Sequence, residues 1–137
     1  MKEGSTIPEA EISRRLGNVR CKMAEKDIEV LVVISAPGSL RFGQRGHVLY
    51  LSGYEPYFGD CMLILPLDSK LEPVLEIDTA NYFPEGCTWV KNQAQPGSHI
   101  DLIKRYLSDN SLRPSRIGVD GSQGFPHYTM VISGKDE

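Results

Sequence analysis

A chain of 137 residues that is 40% hydrophobic and 24% charged has the size and composition of one soluble globular domain, able to bury a core without a disulfide or metal staple. Eighteen acidic against fifteen basic residues give a net charge of −3, which excludes the positive surplus that phosphate binding requires, so no nucleic-acid partner is expected. Three cysteines, Cys21, Cys61 and Cys87, are an odd number without a C-x-x-C pair, which argues against a disulfide framework and a zinc site and for reduced thiols in a cytoplasmic protein.

Thr6-Ile7-Pro8-Glu9 has the form of a capping box that opens a helix running to Glu25, with Pro8 in its first turn. Ile12, Leu16, Val19 and Met23 recur at helical spacing and form one buried stripe, while Arg14, Arg15, Arg20 and Lys22 read as a solvated face. Val30 to Ile34 is a continuous β-branched run, suited to a central strand covered on both faces. Ser35 to Gly46 is a glycine-rich loop without the G-K-[ST] of a phosphate cradle. His47 to Gly53 is a short helical turn or strand stopped by glycine, and Tyr54 to Asp60 is an aromatic loop. Cys61 to Leu65 and Pro73 to Ile77 read as a hairpin around Pro66 to Lys70.

Asp78 to Gly86 mixes a short helix with Pro84 and Gly86, and Cys87 to Val90 is a brief strand. A second capping box, Ser98 to Asp101, opens a helix that ends near Asn110, followed by the strand Arg116 to Gly121 and a helix start at Pro126 to Ile132. The apolar runs are strand-sized, so neither a signal peptide nor a membrane span is expected. This order fits a three-layer α/β/α domain around a mixed sheet of about five or six strands, with the Val30 strand central.

Few side chains suggest chemistry. Asp60, Asp78 and Asp120 sit at strand ends, where carboxylates that converge can hold two divalent metals in a nuclease-like site; aspartate is also a common turn former, and no basic groove accompanies these. His47, His99 and His127 lack metal-ligand spacing: His47 reads as a structural histidine or a general base, and His99 as an exposed residue at a helix start. Cys21 and Cys61 read as buried, inert thiols. Three aromatics within five residues, Tyr54, Tyr57 and Phe58, make the Tyr54 to Asp60 loop a contact surface or a cover for the end of the core.

Arg15-Leu16 through Met23, the strand Leu31-Val32-Val33, the segment Leu49-Tyr50-Leu51-Ser52-Gly53-Tyr54 and the strand Met62-Leu63-Ile64-Leu65-Pro66 resemble, in order and spacing, the N-terminal domain of the creatinase, prolidase and aminopeptidase P family. The resemblance runs from about Glu11 to Ile132. It implies a ribonuclease-H-like topology for the three layers and a single domain over residues 1–137 that is not itself the catalyst. The family's chemistry lies in a following pita-bread domain, absent from these residues, where two divalent metal ions such as manganese activate water against an Xaa-Pro amide; creatinase hydrolyses an amidine without them. The expectation is therefore a cytoplasmic hydrolase's non-catalytic domain, inactive alone and with no metal or cofactor of its own. It would assemble a homodimer and lend residues to the neighbouring subunit's pocket for a peptide with proline at its second position.

By position, Tyr57-Phe58-Gly59-Asp60 resembles the Y-F-G-R of creatinase, which assigns Tyr57, Phe58 and Asp60 to the substrate rim in trans. Asp60 stands where creatinase has arginine, and the loop is one residue shorter, which argues against a creatine-like carboxylate. His47 replaces a usual asparagine, and Lys26-Asp27 stands where glycine is common. Two further readings compete: a stand-alone binding module that uses the Tyr54 to Phe58 loop, and the two-metal nuclease.

Overall fold

Helix α1 (Glu9–Glu25) buries Ile12, Leu16 and Met23, with Val19 partly buried beside them, in a computed structural model that describes residues 7–35, 46–54, 61–77, 88–95 and 97–120. The chain enters α1 through Pro8, in extended conformation and without a side-chain cap, so the helix starts at Glu9 and not in a capping box; Thr6 lies outside the described residues. The basic face is also less solvated than expected. Arg15 donates to Glu11 (2.9 Å) and to the carbonyl of Tyr50 (2.6 Å) while its guanidinium lies 4.1 Å from the Tyr50 ring centroid, and Arg20 donates to the carbonyl of Pro66 (3.0 Å). These cations pin α1 to its neighbours.

Strand β1 (Val30–Ser35) pairs antiparallel with β2 (Cys61–Pro66) over six residues, and β2 pairs antiparallel with β3 (Val74–Glu76). Strand β4 (Asn92–Ala94) lies parallel to β3, and β5 (Ile117–Asp120) lies parallel to β1, giving the order β4-β3-β2-β1-β5. The meander β1-β2-β3 with β5 returning beside β1 is the ribonuclease-H-like arrangement. The middle strand is β2, not β1, because the hairpin adds β3 on its far side and β4 then joins parallel to β3. Every residue of β2 is buried, since alternate side chains enter two cores.

One core holds Val33, Leu63, Leu65 and Leu75 under α1 and the short helix α2 (Gly46–Ser52). The other holds Val30, Val32, Ile34, Met62 and Ile64 under Leu102, Ile103 and Tyr106 of α3 (His99–Asp109). Ser98 caps α3 by accepting from the Asp101 N–H (3.2 Å), as its sequence signature indicates. Thr88 to Val90 form a clasp rather than a strand. The Thr88 hydroxyl donates to the Ser52 carbonyl and the Trp89 indole N–H to the Leu51 carbonyl (2.7 Å), which satisfies the open end of α2. The edge strand falls instead on polar Asn92–Ala94; Cys87 lies outside the described residues.

Both long helices end in the same way. Ile28 N–H donates to Met23 (2.8 Å) and Asp27 N–H to Ala24 (3.2 Å); Leu112 N–H donates to Leu107 (2.8 Å) and Ser111 N–H to Ser108 (3.1 Å). This closure requires a left-handed residue, supplied by Asp27 (φ 59°) and Ser111 (φ 54°). Asp27 thus stands in the backbone region that glycine adopts most readily. Because a side chain disfavours that region, and more so for serine than for aspartate, Ser111→Gly should stabilise the fold by roughly 0.5–1 kcal/mol and Asp27→Gly by less, read from urea midpoints. An unchanged or lowered midpoint for Ser111→Gly would contradict the closure.

Glu11 accepts from Arg14 (2.6 Å) and Arg15, and these two guanidinium groups, Arg14 first, hold its carboxyl down from the ordinary 4.5 to about 2. A carboxyl lowered by folding stabilises the fold above its unfolded value, and that contribution is lost as pH falls through the folded one. Acid titration followed by helical circular dichroism should therefore lose stability between about pH 4.5 and 2, and Glu11→Gln should flatten that part of the profile.

Candidate functional site

The strand register gathers several chain segments at one end of the sheet. Ser35, the last residue of β1, pairs with Cys61, the first of β2, and Asp120, the last of β5, pairs with Val33. Helix α2 starts at the same end, and the His47 Nδ1 meets the Asp120 Oδ2. Imidazole and carboxylate thus stand outside the carboxyl ends of two adjacent parallel strands, where α/β sheets gather ligand-binding groups. A carboxylate only accepts, so Nδ1 donates to Asp120 and Nε2 is the ring nitrogen left outside this contact. The pair is open to solvent, with side chains 65% and 44% exposed. His47 is therefore neither a core histidine nor alone.

Among the described residues no group of three or more histidine, cysteine or acidic side chains is placed to hold a metal ion. Of the three strand-end carboxylates, Asp120 is the one described; Asp60 and Asp78 lie outside, as does His127. Tyr57, Phe58 and Asp60 also lie outside the described residues, although the flanking anchors are defined. Tyr54 is 1% exposed and packs in the core under α2, and Cys61 is buried at the sheet end beside Ser35. Tyr54 covers the core and offers no contact surface. Cys61 is buried, as expected, whereas Cys21 is exposed on α1.

The second polar pair is buried. Glu76 on β3 is 2% exposed, and its Oε1 meets the Nδ1 of His99, whose side chain is 9% exposed at the first turn of α3. His99 is not the exposed helix-start residue that its position suggested, because β3 brings a carboxylate beneath it. One sequence signal pointed here: Glu76 interrupts the run Val74-Leu75-Glu76-Ile77 and shares its face with Val74, toward α3. Nearby, the Tyr106 hydroxyl donates to the Glu72 carbonyl (2.6 Å), and burial pushes its pKa up to about 12.

Burial decides what each pair is worth. Removing one partner of the buried pair leaves the other desolvated, so Glu76→Ala or His99→Ala should cost about 3–5 kcal/mol. The open pair His47 and Asp120 should contribute at most about 1 kcal/mol, so Asp120→Asn should leave the urea midpoint nearly unchanged. Equal costs for Glu76→Ala and Asp120→Asn would contradict this division.

No family model matches the chain, and no curated protein matches it. Among solved structures, the crystal structure of an XXA-pro aminopeptidase from Streptococcus pyogenes is similar, with a TM-score of 0.63 and 18% identity over 90% of this chain and 84% of that one. At that identity the likeness is one of fold.

Proposed function

We propose that this chain is the non-catalytic N-terminal domain of an Xaa-Pro peptidase of the creatinase, prolidase and aminopeptidase P family. The observation that carries the reading is the fold shared with an XXA-pro aminopeptidase over 90% of the chain. The segment Leu49-Tyr50-Leu51-Ser52-Gly53-Tyr54 supports it, since it forms α2 and its glycine stop (φ 80°) ahead of the 55–60 segment. In this reading the domain assembles a cytoplasmic homodimer, and Tyr57, Phe58 and Asp60 enter the rim of the neighbouring subunit's pocket for a peptide with proline second. The residues that flank that segment are fixed in the fold: Tyr54 is buried in the core and Cys61 opens β2 opposite Ser35.

The two divalent metals of such enzymes belong, in this proposal, to a separate catalytic domain. In this reading no step of hydrolysis is assigned to this domain. The purified 137-residue chain given millimolar manganese and an Xaa-Pro dipeptide should release no free proline above a metal-free blank. Turnover dependent on manganese would overturn the reading.

A further inference from the structure

On the face that carries α3, Leu102, Ile103 and Tyr106 rest on β1 and β2 and His99 meets Glu76 of β3, whereas β4 is largely exposed, with Ala94 partly buried. The register of β3 with β4, Val74 with Asn92 and Glu76 with Ala94, sets those four side chains as the floor of a cleft of about 970 Å³. Asp101, Arg105 and Asp109 of α3 form one wall, and Lys70 and Glu72 of the β2–β3 turn close one end. The other long side is the edge of β4. There the Ala94 carbonyl accepts from the Ile77 N–H (3.1 Å), so strand alternation turns the N–H and C=O of Gln93 outward, and among the described residues no strand pairs with that side.

The charges of this cleft favour one sign of partner. Glu76 is engaged by His99, whereas Glu72, Asp101 and Asp109 are exposed on the rim against two cations, Lys70 and Arg105. The partly buried Val74 and Ala94 add a narrow apolar strip along the floor. We propose that the β4 edge and this cleft dock an extended peptide segment of a partner protein, with basic side chains at alternate positions. The segment adds to the sheet beside Gln93 through its backbone, its alternate lysine or arginine side chains lie along Val74 and Ala94, and their cationic heads meet Asp101 and Asp109. An acidic segment is repelled by the same rim. This inference is independent of the peptidase reading.

The test uses the full ¹⁵N-labelled chain and the synthetic peptide acetyl-Thr-Lys-Val-Lys-Val-Lys-Thr-amide. The expected result is saturable shifts at Gln93 and its neighbours, slowed exchange of the Gln93 amide, and no effect from the same peptide with glutamate for lysine. Asp101→Asn combined with Asp109→Asn removes two exposed charges without touching a core contact, and binding should weaken about fivefold, as it should in high salt. Four outcomes would each overturn the proposal: no shift at millimolar lysine peptide, equal binding of both peptides, the same shifts from butylamine alone, or protection of Gln93 by self-association of the chain.

Discussion

The six-residue pairing of β1 with β2 is the constraint on which the rest depends. β1 and β2 are interior strands in which the side chains of Val30–Ile34 and Cys61–Leu65 alternate between two cores, so neither face can be left to water. Val33, Leu63 and Leu65 require α1 and α2 on one side; Val32, Met62 and Ile64 require α3 on the other. Burial of this kind contributes about 25 cal/mol per Å² of apolar surface, far more than any surface ion pair in the molecule can supply. The same pairing fixes where the ends of the strands lie, and hence where the segments leaving them meet.

Much of this was legible in the sequence, because the signals concerned are local. The β-branched run from Val30, the stripe Ile12, Leu16, Met23, the Ser98 cap and the glycine stop at Gly53 each depend on side chains within a few residues of one another. What escaped the sequence is long-range. The strand Asn92–Ala94 has no β-branched residue and forms because Glu76 and its neighbours offer a parallel edge, while the better strand former beside it, Trp89, is drawn away to the end of α2. Arg15 and Arg20 look like surface charges until α2 and β2 present carbonyl oxygens to them.

The candidate sites were the least legible part for the same reason. His47 and Asp120 are 73 positions apart, and nothing near either residue indicates the other. Glu76 and His99 are recognisable only once β3 is known to pass beneath the start of α3, although a carboxylate on an inward-facing strand position already demands a partner, since an unpaired buried charge is costly. The two pairs have the same chemistry in opposite surroundings. Burial makes Glu76 and His99 a tie between sheet and helix; exposure leaves the His47 ring with a free face toward solvent beside the strand ends.

These two polar pairs also divide the sheet. Asp120 lies on β5 at one margin, and Glu76 lies on β3 next to β4 at the other, with β1 and β2 between them. Three strand-to-strand steps of roughly 4.8 Å separate the strands that carry them, so one small ligand cannot bridge both. The intervening strands are buried on both faces and paired along their length, which makes them a stiff spacer rather than a hinge. A ligand at the His47 margin and a peptide at the β4 margin would therefore bind without competing, each reading a different part of one rigid sheet: the strand ends at one side, and the cleft and backbone edge at the other.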